Sequence, residues 1–140
     1  MKALIGFLVA SVIVAFFAPM AIEMKIMIYP MAFFIGSFIV VLFLVPVTAL
    51  PIYLVITNKF GFSITTTIIS AVLSTTFVSF FFILPTGLDS SIVNGTVMVE
   101  NGTTTIDGYI KVLQQLSMMG LVGLLSGISF YYIKKVGIKN

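Results

Sequence analysis

Residues 26–58, IMIYPMAFFIGSFIVVLFLVPVTALPIYLVITN, make a run of thirty-three residues between Lys25 and Lys59 without one charged side chain. About 20 apolar residues cross the hydrocarbon core of a bilayer, so this run has length to spare and must tilt, bend or overhang. It also contains Pro30, Pro46 and Pro51. Pro30 suits the first turn of a helix. Pro46 and Pro51 have no amide hydrogen, so the carbonyls of Leu42 and Val47 lose their helical donors, and in lipid they need other partners. The nearby Thr48 hydroxyl is one such partner. Neither half of the run is long enough to cross alone, so the reading is one helix bent at Pro46 and Pro51.

The rest of the chain repeats this pattern. Charges fall only in the gaps between apolar runs, which predicts an all-α membrane protein: a bundle of four transmembrane helices over about 3–22, 30–57, 63–84 and 110–133. The 140 residues are 60% hydrophobic and 8% charged, with a mean hydropathy of +1.26, where a soluble domain carries about 25% charged residues. The spans use most of the length, so 1–140 reads as a single polytopic membrane domain. In the first run, Ala18-Pro19-Met20-Ala21 offers the small residues of a signal-peptide cleavage site. The run is near full spanning length and Pro19 obstructs cleavage after Ala18, so it is read as a span that Pro19 ends or bends. Ile22 to Tyr29 then forms a short interfacial turn.

Lysines give the expected orientation. Lys2, Lys59, Lys134, Lys135 and Lys139 fall in gaps on one face, and Lys25 and Lys111 on the other. Positive residues beside short loops stay in the cytoplasm, which places both termini there, in a bacterial inner membrane. Lys134, Lys135 and Lys139 are read as anchors to the anionic inner leaflet.

Residues 85–109 form the one sizeable loop, on the outer face. Asn94-Gly95 and Asn101-Gly102 are each the preferred pair for a two-residue type I′ hairpin turn, with a β-prone run between them. The expectation is a two- or three-stranded hairpin or meander lying on the helix ends between helices 3 and 4. Ile92, Val97, Val99 and Ile106 are its candidates to face protein or lipid. These turns make the loop either an external recognition surface or a lid.

Two spans carry small or weakly polar faces. In the third, Thr66, Ser70 and Ser74 recur every four residues, a stripe suited to helix packing or to the wall of a polar pathway. In the fourth, Gly120, Gly123 and Gly127 share one side, and Gly123 to Gly127 matches GxxxG inside an apolar segment. Such a face lets another backbone approach closely, whether from the same chain or from a partner. The first span has similar small residues at Gly6, Ala10, Ser11, Ala15 and Ala18.

Chemistry is constrained by what the composition lacks. With no cysteine and no histidine, thiol catalysis, thiolate metal sites and imidazole-ligated haem are excluded. The side-chain acids, Glu23, Asp89, Glu100 and Asp107, all lie in the gaps assigned to the outer face, and the serines and threonines have no base. No catalytic, cofactor or metal site is therefore expected, nor is nucleic acid a partner, since the lysines are scattered. Coupled transport usually keeps an ionisable residue within the membrane, and none lies in the interior of a span, Lys111 standing at the outer end of the fourth. What remains is a non-enzymatic protein that binds another membrane protein, or itself, through its small-residue faces and outer loop. It would be an accessory or assembly subunit, or an immunity-type protector against a membrane-inserting toxin or phage component. The alternative is a homo-oligomeric channel or uncoupled transporter for a small solute.

Overall fold

A computed structural model describes residues 2–23, 31–84, 90–93 and 95–136. They form α1 (Lys2–Glu23), α2 (Met31–Phe60), α3 (Ile64–Ile83), the strands β1 (Ser91–Val93), β2 (Thr96–Glu100) and β3 (Thr103–Thr104), and α4 (Ile106–Val136). α4 packs most extensively against α3 and α1, and α2 closes the ring between α1 and α3 with thinner contacts. Three helices, α1, α3 and α4, are long and apolar enough to cross a membrane. α2 is two pieces, Ile35–Leu44 and Val47–Phe60, inclined by 44°. The break falls at Val45-Pro46, where the ring of Pro46 removes a ladder hydrogen bond. Pro51 lies within the second piece, which stays helical through it.

Several local expectations change. Pro19 does not end α1, which continues to Glu23; the turn expected after it falls largely outside the described residues. The Thr48 hydroxyl donates to the Leu44 carbonyl at 2.7 Å, one ordinary turn back, and not to Leu42. α4 begins at Ile106, four residues before the expected 110. Thr105 caps it: its hydroxyl accepts the Gly108 amide at 2.9 Å, and Asp107 in the first turn complements the helix dipole.

The other boundaries follow from end chemistry. Gly61, at φ +76°, ends α2, and its amide reaches the Thr57 carbonyl at 2.9 Å. Ser63 and Thr66 form a reciprocal capping box at the start of α3. Leu84 is extended, at ψ 120°, as the residue before a proline prefers.

The loop holds a three-stranded antiparallel sheet in the order β1-β2-β3. Asn101 and Gly102 have φ of +50° and +74°, both positive as a type I′ turn requires, between the paired Glu100 and Thr103. Gly95 is at φ +79°; Asn94 lies outside the described residues. The register shifts between Ser91 and Ile92, which pair with Val99 and Val97. The extra residue is Met98, and this bulge turns Met98 and Val99 together into the core. Val99 therefore faces protein, one of the two surroundings expected of it. Ile92, Val97 and Ile106 do remain exposed.

Met98 and Val99 join Ala21, Ile83, Val112, Met119 and Val122 in one apolar cluster. That cluster seats the sheet on the ends of α1, α3 and α4. The opposite end carries Lys59, Lys134 and Lys135. Between the two ends lies the feature to which all four helices contribute.

Candidate functional site

α3 meets α4 along the glycine face. A methyl group added at Gly123 would overlap the Thr75 hydroxyl and lie 2.9 Å from the Val72 Cα and 3.0 Å from the Ala71 carbonyl oxygen. At Gly127 it would meet the Ala71 Cβ and the Ile68 Cα at 3.0 Å. Gly120 is looser, with its nearest neighbours 3.9 Å away on Thr76 and Val72. Thr75 uses this proximity: its hydroxyl lies 3.2 Å from the Met119 carbonyl across the seam. The tight part of the GxxxG face is thus occupied by α3 of the same chain.

The close approach of α3 and α4, set against the bend in α2, leaves a partly open cleft of about 100 Å³ between the four helices. Phe7, Ala10 and Val14 line it from α1, Ser70, Ser74 and Thr75 from α3, and Met119 and Phe130 from α4. α2 contributes from both sides of its break, with Val41 and Leu44 before it and Thr48, Ala49 and Tyr53 after it.

The hydroxyls in the wall are turned back on their own helices. Ser70 donates to the Thr66 carbonyl at 2.7 Å, Ser74 to Ser70 at 2.7 Å, and Ser126 to Gly123 at 2.9 Å. With its hydrogens committed in this way, the lining is almost wholly apolar. Of the expected stripe, Ser70 and Ser74 line the cleft, whereas Thr66 belongs to the capping box at the end of α3.

Three rings line the cleft toward the lysine end. Phe7 lies 4.7 Å from Phe130 and 6.3 Å from Tyr53, and Tyr53 lies 5.3 Å from Phe130, centroid to centroid. Gly6 makes room for this cluster, since a methyl there would come within 2.8 Å of the Phe130 ring. Behind it, the Lys134 ammonium donates to the Tyr53 hydroxyl at 2.6 Å and sits 4.3 Å from the centre of the Phe62 ring. Cation–π attraction of this kind strengthens as water is removed. The Lys134 side chain therefore packs against Tyr53 and Phe62 at this end of the bundle, while Lys135 lies over Tyr131 at 5.5 Å. Lys139 is outside the described residues.

At the other end Gln115 is 4% exposed. Its amide nitrogen donates to the Ile22 carbonyl, and its side-chain oxygen has no hydrogen-bond partner among the described residues.

Sequence reasoning found the hydroxyl stripe, the glycine face and the bend, but not that stripe and bend share one cavity. It also missed the ring cluster and the Tyr53–Lys134 bond. No group of three or more metal-ligating side chains occurs among the described residues. Comparison with protein-family models, with curated proteins and with solved structures yields no match.

Proposed function

We propose that this chain is a non-enzymatic four-span membrane protein that acts by binding another membrane protein from within the bilayer. The fourth span is α2. Its pieces, Ile35–Leu44 and Val47–Phe60, measure about 15 and 21 Å at 1.5 Å per residue, too short to cross about 30 Å singly and sufficient jointly.

The outer face of α2 carries the docking proposal. The glycines of α4 are engaged by α3, but Gly36 of α2 has open space where a side chain would be. On the same face of this first piece, at helical spacing, stand Val40 and Phe43, with Phe43 74% exposed, and just past the break Val47 is 72% exposed. A hollow beside a projecting ring gives a partner helix a shape to fit, on the helix held least tightly by its own bundle. The exposed Ile92, Val97 and Ile106 offer a second contact on the partner's extramembrane side.

A photo-crosslinking residue at Phe43, used in the native membrane, tests this directly. A single protein adduct of defined mass, lost in Gly36→Leu, is the expected result. Adducts to lipid alone would overturn it.

Orientation is part of the proposal: termini and the Asn58 end in the cytoplasm of a bacterial inner membrane, sheet outside, by the lysine bias. Gly95 and Gly102 are poor labelling sites, because their positive φ strains any side chain. Glu100→Cys and Asn58→Cys lie at exposed positions. An impermeant thiol reagent applied from outside is expected to label the first and spare the second; the reverse pattern would invert the topology.

The runner-up, a solute pathway, draws on the hydroxyls of Ser70 and Ser74 in the cleft wall. Their hydrogens are committed to the helix, and three rings in mutual contact line one end. Solute flux that changes in Ser70→Leu or Ser74→Leu protein of unaltered stability would favour it over binding.

A further inference from the structure

We propose that the interhelical cleft holds one acyl chain of an anionic phospholipid, whose phosphate is received by the lysine end of the bundle at Lys134. The proposal goes beyond docking on α2 and shares with it only the placement of the bundle in a bilayer.

The cleft is suited to methylenes. Its volume of about 100 Å³ is somewhat below that of an engineered apolar cavity that stays dry and takes benzene. Water needs two to four polar partners, and the hydroxyl hydrogens of Ser70, Ser74 and Ser126 are already donated to backbone carbonyls. A short stretch of hydrocarbon fills such a space, with the rest of the chain lying in the surrounding lipid through the open side.

Charge selects the headgroup. Tyr53 forms part of the cleft wall and also accepts the Lys134 hydrogen bond, so the tail site and the cation are one tyrosine apart. Lys59 and Lys135 stand at the same end, near Phe60 and Tyr131. The acids Glu23, Glu100 and Asp107 belong to the opposite end, at the close of α1, in β2 and at the start of α4. Among the described residues the Lys134 ammonium has a hydroxyl and two rings around it, and no carboxylate. Its remaining donor capacity fits a phosphate oxygen.

The test uses the full chain, reconstituted in mixed vesicles of phosphatidylglycerol and phosphatidylcholine with identical chains, then released into mild detergent for native mass spectrometry. One phosphatidylglycerol retained per chain, in preference to phosphatidylcholine, is expected. Lys134→Gln should weaken retention about fivefold, the contribution of one near-surface lysine. Ser70→Leu should abolish it by filling the cleft. If Ser70→Leu lowers the melting temperature, Ala10→Leu fills the same space from the α1 wall.

Equal retention of the two lipids, or none of either, would overturn the proposal. So would sensitivity to Lys134→Gln with normal retention in both cleft-filling variants, because the headgroup would then bind without the tail. Loss of the Phe43 adduct with lipid retention intact would count against the docking proposal alone. Release of the chain from membranes by alkaline carbonate would remove the bilayer premise beneath both.

Discussion

Gly123→Ala is expected to destabilise the bundle by about 2 kcal/mol, whereas Gly120→Ala, three residues earlier, is expected to be neutral or mildly stabilising. The sign changes because the added methyl group meets different neighbours. At Gly120 it makes ordinary contact at 3.9 Å, and alanine gains helix propensity over glycine. At Gly123 it meets the Val72 Cα at 2.9 Å and the Ala71 carbonyl at 3.0 Å. These are backbone atoms, so no rotamer change relieves them; the two helices must separate. Separation also takes the Thr75 hydroxyl away from the Met119 carbonyl, at 3.2 Å across the seam, and leaves it the Ala71 and Val72 carbonyls of its own helix at 3.0 and 3.1 Å. Unfolding in mixed detergent and SDS measures both variants. Equal effects at the two positions would show that α3 and α4 do not meet along this face.

The second large effect concerns the sheet. A methyl group at Gly108 would overlap the Met98 carbonyl oxygen and lie 3.1 Å from the Met98 Cα. That same carbonyl accepts the Thr105 amide at 3.0 Å, and the Thr105 hydroxyl caps α4 through the Gly108 amide. Gly108→Ala therefore drives β2 off the first turn of α4 and loosens the cap in one step. The Met98–Val99 bulge leaves the core with it. Amide hydrogen exchange over 97–99 is expected to accelerate about 30-fold, corresponding to about 2 kcal/mol of local stability. Unchanged exchange there, with the variant folded, would mean that the sheet is held by something other than this contact.

These contacts also show where sequence reasoning stops. Charge-free runs and their lengths identify the helices, because the cost of a lone charge in lipid is set by residue type. The Asn101-Gly102 turn was legible for a similar reason: positive φ at two successive positions favours this pair. Thr105 and Asp107 carry a readable helix start, but the apolar run begins later and by itself points to a start near 110.

The cleft could not be read at all. It is bounded by residues of all four helices, so no single stretch encodes it. Ser70 and Ser74 recur at helical spacing, but whether they face a neighbour or a void depends on three other helices. The inward fold of Lys134 depends in the same way on Tyr53 and Phe62, residues 81 and 72 positions earlier in the chain. The bulge at Met98 overrides the strand alternation that would give Val97 and Val99 the same surroundings: Val97 is exposed and Val99 buried.

Binding to another membrane protein is most directly tested by native mass spectrometry of the protein extracted gently from its own membrane. The predicted result is a complex of this 15.2 kDa chain with a different polypeptide, which dissociates in Gly36→Leu while the variant chain itself remains folded. A lone chain or a homo-oligomer from that membrane, unchanged by Gly36→Leu, would contradict the proposal and turn attention to solute flux through the cleft.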